Sequence, residues 1–317
     1  MLNIDLIHEA RERIYRFVHR TPVITSHAFD ERAGCSVFFK CENFQRAGAF
    51  KMRGATNRIR ALQREERARG VVAFSSGNHA QAVALASKDA NVRATIAMPS
   101  DAPRAKVEAT RGYGAEIVFY DRQKDDREQV ARSLAEAKGS VMVPPFDDYF
   151  VMAGQGTCAL ELFEDVSDLD ALVVPCGGGG LFAGASVAAK AIKPSVACFA
   201  VEPAAGDDAR QSFLKGERVK IGPPQTIADG ARTESTGALT FPYLQKNAAD
   251  VLTVSEEEIV EAMKFMLLRM KILVEPTGAL SAAALLFGKI PSSLRRVGVV
   301  LSGGNVDADA LARLLSS

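Results

Sequence analysis

The chain has 317 residues, of which 47% are hydrophobic and 24% are charged, and its formal net charge is +1. This length allows two domains, and the interspersed charges leave no basic surface for nucleic acid. The apolar runs are shorter than a membrane span, and the N-terminal residues lack the basic and apolar regions of a signal peptide. We therefore expect a cytoplasmic protein with no nucleic-acid partner and no membrane association.

The cysteines and histidines do not predict a zinc site. The five cysteines include no Cys-x-x-Cys pair, and no two of the four histidines have the spacing of metal ligands. An odd number of cysteines without paired spacing is typical of free thiols in a reducing compartment.

The first part of the chain predicts a helix, an extended segment and a strand. Apolar residues at helical spacing predict a helix over 5–18, which Thr21-Pro22 ends. A strand over 36–41 follows. Lys51 then opens a helix predicted over 51–63, and the arginine-rich stretch that continues to residue 69 is typical of a solvated helix face.

From residue 70 strands and helices alternate regularly. The predicted strands and the helices between them cover 71–74, 78–90, 92–98, 103–113, 116–120, 125–137 and 141–143. This alternation predicts parallel pairing with right-handed crossovers, and therefore a small open α/β sheet. The cluster of chain breakers at 144–148 predicts a return crossing between domains.

The remaining chain predicts a second α/β unit. Its predicted strands are 171–175, 196–201, 251–254 and 297–301, and its predicted helices are 151–164, 181–192, 256–269, 276–287 and 307–315. Residues 203–250 are rich in Gly, Pro and Asp and are predicted to be irregular. We therefore predict a two-domain α/β protein with a large domain of residues 1–44 and 148–317 and a small domain of residues 45–147.

Lys51 is a candidate nucleophile. It lies between Phe50 and Met52 at the start of its predicted helix. The positive end of the helix dipole and burial beside an aromatic ring would both disfavour its ammonium form. A neutral amine is a nucleophile. The alternative is an ordinary surface lysine in an arginine-rich helix.

The run Ser75-Ser76-Gly77-Asn78-His79 joins a predicted strand to a predicted helix. Backbone N–H groups at a helix start favour an anion such as a carboxylate, and the short polar side chains add donors. Simple capping of the helix by Ser76 or Asn78 is the alternative. Capping needs one such residue, so four polar residues in five favour a binding site.

Gly177, Gly178, Gly179 and Gly180 follow another predicted strand. Four successive glycines permit a nest of N–H groups that wraps a phosphate closely. The stretch also fits the looser dinucleotide pattern G-x-G-x-x-A, and Glu202 ends the next strand, where a ribose-binding acid would lie. An NAD-dependent enzyme is therefore an alternative.

Two further loops carry polar groups at strand ends. Ser302-Gly303-Gly304-Asn305 follows the last predicted strand and, taken singly, is no more than a capping turn. The acidic loop from Glu202 to Asp208 offers two carboxylates and a backbone carbonyl, which suit a hard cation such as Mg²⁺ or Ca²⁺. A solvated acidic loop is the alternative.

Five motifs occur in one order along the chain. They are Phe50-Lys51-x-Arg53-Gly54-Ala55, Ser75-Ser76-Gly77-Asn78-His79, Ala153-Gly154-Gln155-Gly156-Thr157, the four glycines and Ser302-Gly303-Gly304-Asn305. Together they resemble the fold-type II pyridoxal-phosphate enzymes, and among these the serine/threonine dehydratase and serine racemase family. The segments 228–233 and 270–278 look most like microbial serine racemases and 3-hydroxyaspartate dehydratases.

The resemblance implies a tryptophan-synthase-β-like fold of two open, twisted, mainly parallel sheets flanked by helices, with pyridoxal 5'-phosphate as cofactor. Lys51 would form the Schiff base and, once released, remove the Cα proton, with Ser76 on the opposite ring face. The implied cofactor-binding residues are Phe50, Lys51, Asn78, Gly177, Gly178, Gly179, Gly180, Leu181, Gly230 and Ser302.

The resemblance also implies a substrate site, a metal site and a homodimer. Substrate would bind at Ser75, Ser76, Asn78, His79 and Thr233. Arg232 is a candidate to pair with an extra substrate carboxylate, or equally a surface arginine beside Glu234. The implied ligands of Mg²⁺, or of Ca²⁺ or Mn²⁺, are Glu202, the Gly206 carbonyl and Asp208.

The predicted function is elimination of water from a small 3-hydroxy amino acid (L-serine, L-threonine or 3-hydroxyaspartate), giving a 2-oxo acid and ammonia. A neutral hydroxyl at Ser302 beside the pyridine nitrogen favours departure of the β-hydroxyl group. Serine racemase is the first alternative, with Lys51 and Ser76 as the two bases. An NAD-dependent dehydrogenase would leave Lys51 and Ser302 without a role, and a non-enzymatic binding module is the last alternative.

Overall fold

The computed structural model describes residues 1–102, 104–121 and 123–316. The helices in this part of the chain are α1 (Ile4–Ile14), α2 (His27–Ala33), α3 (Lys51–Arg60), α4 (Arg64–Arg69), α5 (Asn78–Asp89), α6 (Arg104–Gly112), α7 (Arg127–Lys138), α8 (Tyr149–Asp165), α9 (Gly180–Ile192), α10 (Asp208–Lys215), α11 (Phe241–Asn247), α12 (Glu256–Phe265), α13 (Pro276–Leu286) and α14 (Ala308–Ser316). A π-helical turn, Met266–Met270, continues α12.

The strands form two separate sheets. They are β1 (Val23–Ile24), β2 (Ser36–Cys41), β3 (Val71–Phe74), β4 (Ala94–Pro99), β5 (Glu116–Tyr120), β6 (Val141–Met142), β7 (Ala171–Pro175), β8 (Ala197–Pro203), β9 (Ala248–Val254) and β10 (Arg296–Leu301). Within the described residues the first sheet has the order β1-β2-β10-β7-β8-β9 and the second has the order β5-β4-β3-β6.

Both sheets are mainly parallel, which confirms the predicted fold class. Among the strands of the described chain only β1 pairs in antiparallel fashion, with β2, and an isolated antiparallel bridge joins Ala49 to Gly303. The four-stranded sheet is built from β3–β6 alone, whereas the six-stranded sheet combines strands from both ends of the chain. No described helix is long and apolar enough to cross a membrane.

The six-stranded sheet has an apolar core on each face. Side chains alternate along a strand, so successive residues of β7 and β10 pack on opposite faces. Val174 and Val300 pack with α1, α8 and α9, while Val173 and Val299 pack with α12 and α13. Burial on both faces accounts for the nearly continuous apolar runs of these strands.

The predicted bounds of β2, β3, β5 and β7 are confirmed, and other predicted elements shift by a few residues. The helix predicted over 5–18 ends at Ile14, and the predicted start of α6 at residue 103 lies outside the described residues. The prediction missed α2, although Ser26 caps its start and Gly34, with φ of 72°, ends it. Strand β1 lies in the segment that was predicted only as extended, and α4 was not predicted as a separate helix.

The prediction that residues 203–250 are irregular is wrong. This segment contains α10 and α11, and β9 begins at Ala248. Helix α10 is capped by a residue from β8, because the buried carboxylate of Glu202 accepts hydrogen bonds from the N–H groups of Ala209 (3.3 Å) and Arg210 (3.0 Å). A cap supplied by another element leaves no local pattern in the sequence.

Glycines allow α3, α8 and α9 to pack at close range. A Cβ atom on Gly154 of α8 would lie 2.7 Å from the carbonyl oxygen of Arg53 on α3. A Cβ atom on Gly184 of α9 would lie 2.2 Å from the carbonyl oxygen of Met152 on α8. The third motif of the sequence, Ala153-Gly154-Gln155-Gly156-Thr157, is therefore a helix-packing motif. It lets α8 contact α3, the helix that begins with Lys51.

We expect Gly184→Ala to destabilise the protein by about 1–3 kcal/mol, because backbone atoms of α8 cannot move aside as a side chain can. Chemical denaturation with both variants tests this. The control is Gly222→Ala, whose Cβ would meet no described atom within 4 Å, and which should change the free energy of unfolding by less than about 0.5 kcal/mol. Equal stability of the two variants would contradict the packing argument.

Candidate active site

A cavity of about 810 Å³ contains Lys51 and the three polar loops that the sequence singles out. Strands β3, β7 and β10 end at its wall, followed by the Ser75, Gly177 and Ser302 loops respectively. Ligands bind in open α/β sheets at the carboxyl ends of the strands. The cavity therefore has the expected location for a binding site, and it brings together residues far apart in sequence.

Lys51 is the first residue of α3 and points its amine into the protein. The Nζ atom donates a hydrogen bond to the carbonyl oxygen of Pro145 (2.7 Å) and lies 5.0 Å from the ring centroid of Phe50. Burial lowers the pKa of Lys51 to about 8, although the negative charge of Glu275 acts in the opposite direction. The surface-lysine alternative is therefore wrong, because Lys51 is half-buried and its amine is hydrogen-bonded at the wall of the cavity.

The segment before Lys51 is joined to the Ser302 loop by backbone hydrogen bonds. The N–H of Phe50 donates to the carbonyl oxygen of Ser302 (3.0 Å), and the N–H of Gly304 donates to the carbonyl oxygen of Gly48 (2.9 Å). These bonds fix the start of α3 against the end of β10. The position of the lysine is thus tied to the six-stranded sheet.

A buried ion network lies behind Lys51. The guanidinium of Arg53, which is fully buried, bonds Glu42 (2.8 Å) and Glu161 (2.7 Å), and Lys40 bonds Glu161 (2.6 Å). Burial by itself would raise the pKa of Glu161, but the two cations outweigh it and the pKa is lowered. Buried charges are tolerated only when they are paired this closely. The network therefore anchors α3 to β2 and α8.

The Ser75–His79 loop leaves the start of α5 open. Gly77 is the residue before the helix, and among the described residues no side chain caps this helix. The N–H of Gly77 donates to Oγ of Ser75 (3.1 Å), and Ser76 and Asn78 line the cavity. Capping by Ser76 or Asn78 is therefore wrong, and the N–H groups of the first helical turn are available to an anion.

His79 is buried and neutral. Burial, and then the charge of Lys51, lower the pKa of His79 to about 3. Its Nε2 atom lies 2.9 Å from the carbonyl oxygen of Val143. A carbonyl only accepts, so Nε2 carries the proton of the neutral ring. The side chain of His79 thus holds the chain just before Pro145, and His79 is also one of the residues that line the cavity.

The glycine loop has the geometry of an anion nest. Gly179 has φ of 87°, and a Cβ atom on Gly178 would lie 2.3 Å from the ring of Phe146. Helix α9 begins at Gly180, followed by Leu181. Within the described chain no backbone carbonyl accepts from the N–H groups of Gly177, Gly178 or Gly180. The loop therefore fits a phosphate group at a helix start.

Gly230 and Ser302 line the same cavity on either side of Thr277. The N–H of Gly230 donates to Oγ1 of Thr277 (2.9 Å), and Oγ of Ser302 lies 3.4 Å from the carbonyl oxygen of Thr277. Ser302 is buried. Its hydroxyl can donate to or accept from a ring nitrogen, as the sequence interpretation requires.

Thr233 and Arg232 also line the cavity. The Oγ1 atom of Thr233 lies 3.5 Å from the carboxylate of Asp208. The guanidinium of Arg232 donates from Nε (2.9 Å) and Nη2 (2.6 Å) to the carbonyl oxygen of Thr226, and its Nη1 lies 3.6 Å from Asp229. Arg232 is therefore held in a fixed orientation at the cavity rim.

The acidic loop places Glu202 and Asp208 together inside the protein, next to buried Gly206. Burial, and then the neighbouring Asp208, raise the pKa of Glu202, and burial raises the pKa of Asp208 to about 7. The Oδ2 atom of Asp208 is buried and has no hydrogen-bond partner in the described structure. The solvated-loop alternative is therefore wrong. The described residues contain no group of three or more His, Cys, Asp or Glu side chains that could hold a metal.

Glu275 is a cavity residue to which the sequence interpretation assigned no role. Its Oε1 atom accepts a hydrogen bond from Nδ2 of Asn78 (2.7 Å), and burial raises its pKa to about 7. Asn305 was predicted only as part of a turn, yet its Nδ2 donates to Oδ1 of Asn78 (2.9 Å). The only local signal for Glu275 is its place directly before Pro276, the first residue of α13.

The chain matches known proteins over nearly its whole length. The family model described as "Pyridoxal-phosphate dependent enzyme" matches residues 14–303. An L-threo-3-hydroxyaspartate ammonia-lyase of Saccharomyces cerevisiae is 52% identical, covering 97% of this chain and 94% of the relative. A serine racemase of Schizosaccharomyces pombe is 50% identical, covering 98% of this chain and 97% of the relative. The structure of maize serine racemase superposes with a TM-score of 0.95 at 43% identity, covering 99% of this chain and 97% of the maize chain.

These matches overturn the dinucleotide-binding alternative. The carboxylate of Glu202 is also buried against the N–H groups of α10, where it could not reach a ribose. The lysine, the glycine nest and the Ser302 loop meet in one cavity, as the resemblance to fold-type II enzymes implies. The chain therefore belongs to the family of pyridoxal-phosphate dependent enzymes.

Proposed function

We propose that this enzyme eliminates water from a small 3-hydroxy amino acid and releases a 2-oxo acid and ammonia. The reaction removes the Cα proton and the β-hydroxyl group, and water then replaces the amine of the unsaturated product. The observation that carries the proposal is the buried amine of Lys51 in one cavity with the glycine nest. Relatives named 3-hydroxyaspartate ammonia-lyase support the reaction class.

The residues fit pyridoxal phosphate as the cofactor. Backbone N–H groups of the segment from Gly177 to Leu181, among which those of Gly177, Gly178 and Gly180 donate to no described backbone carbonyl, would hold its phosphate. Phe50 and Gly230 would flank its ring, and Ser302 would face the ring nitrogen. When bound, the cofactor supplies an electron sink that acidifies the Cα–H bond of an attached amino acid. The protein supplies binding, orientation and proton transfer.

Lys51 would carry the cofactor and act as the base at Cα. With a pKa of about 8, about a tenth of free Lys51 side chains are neutral at pH 7. The hydrogen bond to Pro145 holds the amine at the cavity wall while it is free. Ser76 lies in the same cavity, and we assign it to the opposite face of the substrate.

The open start of α5 would bind the substrate carboxylate. Ser75, Ser76, the backbone at Asn78 and His79, and Thr233 would provide its donors. L-Serine, L-threonine and 3-hydroxyaspartate all carry the β-hydroxyl group that the reaction removes. For 3-hydroxyaspartate, Arg232 would pair with the second carboxylate through Nη1, since Nε and Nη2 bond Thr226, and the substrate would then replace Asp229 as the partner of Nη1.

Racemisation of serine is the second candidate function. The same cavity could return a proton to the other face of Cα if Ser76 acts as the second acid–base group. Relatives named serine racemase, at 50% and 44% identity, support this candidate. Incubation with L-serine separates the two functions, since elimination yields pyruvate and racemisation yields D-serine.

A divalent cation, Mg²⁺ or else Ca²⁺ or Mn²⁺, would occupy the acidic loop. The Oδ2 atom of Asp208 has no hydrogen-bond partner in the described structure, and the negative charge of Asp208 acts on the buried carboxylate of Glu202. Hard cations prefer carboxylate and carbonyl oxygens, and the Gly206 carbonyl would be the third protein ligand. Thr233 would then join this loop to the substrate site.

We further propose that the two sheets belong to two domains, a large one of residues 1–44 and 148–317 and a small one of residues 45–147, and that the cavity closes when the domains approach. Closure would exclude water from the reacting atoms. We also propose a cytoplasmic homodimer as the working form of the enzyme.

We expect Lys51→Ala to abolish all turnover, since the variant has no amine to carry the cofactor or to remove the Cα proton. The purified wild-type protein should be yellow and bleached by borohydride, whereas the variant should have no borohydride-sensitive band. Ammonia release and chiral analysis over serine, threonine and 3-hydroxyaspartate give the activity. Turnover by a folded Lys51→Ala variant would refute the proposed function.

In cofactor-free protein, the amine of Lys51 should react with an acylating reagent with a midpoint near pH 8, since its pKa is about 8 rather than 10.5. Reactivity should rise as pH rises through this midpoint, because only the neutral amine is a nucleophile. Mass spectrometry of the labelled peptide gives the profile, and exposed Lys220 serves as the internal control. A common midpoint for both lysines would show that Lys51 is not perturbed.

Addition of Mg²⁺ to EDTA-treated protein should raise the melting temperature, because a cation offsets the repulsion between Glu202 and Asp208. The shift should disappear in Asp208→Asn and persist in Asp250→Asn, which replaces a half-exposed acid outside the loop. Thermal melts of the three proteins provide the measurement. An equal Mg²⁺ shift in Asp208→Asn would place the cation elsewhere.

A further inference from the structure

The carboxyl group of Glu275 is a buried acid at the cavity wall, with 8% of the residue exposed. Its backbone N–H donates to the carbonyl oxygen of Gly303 (3.0 Å), and a Cβ atom on Gly303 would lie 2.6 Å from Oε1. The Ser302 loop thus makes room for this side chain and holds it. None of the steps assigned above uses Glu275.

A chain of hydrogen bonds fixes which way the amide of Asn78 points. Asn305 Nδ2 donates to the backbone carbonyl of Ala47 (2.7 Å), and a carbonyl can only accept, so the nitrogen end of Asn305 is determined. The same nitrogen donates to Oδ1 of Asn78 (2.9 Å). Oε1 of Glu275 then accepts from Nδ2 of Asn78 (2.7 Å). The oxygen of Asn78 is therefore occupied, and its second N–H remains for the cavity.

We propose that Glu275 is a positioning residue, which together with Asn305 orients the Asn78 amide so that it donates an N–H into the cavity, toward the ring hydroxyl oxygen of the cofactor. This inference rests on the proposed function, because the ring hydroxyl that would accept this N–H belongs to the cofactor that the proposed function requires. A donor at this point stabilises the ionised ring oxygen, whereas an Asn78 oxygen would repel it.

The charges around Glu275 are compatible with this role. Lys51 on α3, Lys106 on α6 and Asp229 face the carboxyl group, and the N–H of Asn305 bonds it. Burial raises the pKa of Glu275 to about 7. A protonated carboxyl keeps one carbonyl oxygen and a carboxylate has two, so Asn78 finds an acceptor in either state. The orientation of the amide is thus independent of pH near neutrality.

Two substitutions break the chain of hydrogen bonds from opposite ends. Glu275→Leu removes the acceptor for Nδ2 of Asn78, and Asn305→Leu removes the donor to its oxygen. Ser281→Ala is the control, since Ser281 is a buried residue of α13, the helix that begins directly after Glu275, and it does not line the cavity. Circular dichroism and thermal melts establish that each variant is folded.

The experiment compares the affinity for pyridoxal phosphate with that for an analogue lacking the ring hydroxyl, by absorbance titration of the four proteins. The dissociation constant for the analogue divided by that for pyridoxal phosphate isolates the ring-hydroxyl contact, because the phosphate and imine contributions are common to the variants. Wild type and Ser281→Ala should share one ratio. The ratio should fall about tenfold in Glu275→Leu and in Asn305→Leu, the size of one hydrogen bond to a charged group.

An unchanged ratio in either folded variant would overturn the inference while leaving the proposed function intact. A wild-type protein that takes up no pyridoxal phosphate would overturn the proposed function and the inference with it. The two failures are thus distinguishable in one set of titrations.

Discussion

Burial of the Lys51 amine is the constraint on which the rest of the site depends. A lysine at the first position of a helix lies at the positive end of the helix dipole, and here burial also lowers the pKa of the amine. The negative charge of Glu275 acts in the opposite direction and favours the ammonium form, and the amine donates a hydrogen bond to Pro145. With a pKa of about 8, the amine exchanges readily between its neutral, nucleophilic form and its ammonium form near neutral pH. It lies in one cavity with a glycine nest that fits a phosphate.

The surrounding packing fixes the position of α3 and therefore of the Lys51 amine. Gly154 and Gly184 let three helices approach until their backbones are in contact, so α3 has little freedom to shift. Two residues after Lys51, Arg53 joins α3 to Glu42 and Glu161 by bonds that are costly to break inside the protein. Small residues and paired charges thus contribute to positioning, although none of them touches the cavity atoms that react.

The buried acids Glu161, Glu202, Asp208 and Glu275 have different partners. Glu161 is paired with cations, and its pKa is lowered. Asp208 and Glu202 face each other, which suits a divalent cation. Glu275 faces an amide, which suits orientation of a neutral group. In each case burial disfavours the carboxylate, and the nature of the compensating neighbour decides what the residue does.

The sequence by itself determined the α/β class, the parallel sheets, the Lys51 helix and the three loops at strand ends, because apolar periodicity and Gly or Pro signals act over a few residues. Only the tertiary structure decided that α10 is capped by Glu202, that Arg53 meets Glu161 across 108 residues, and that Asn78 meets Glu275 across 197. Such partners are set by how strands pair and helices pack, and no local pattern encodes that register. The same reason explains why Glu275 and Asn305 were missed while Lys51 was found.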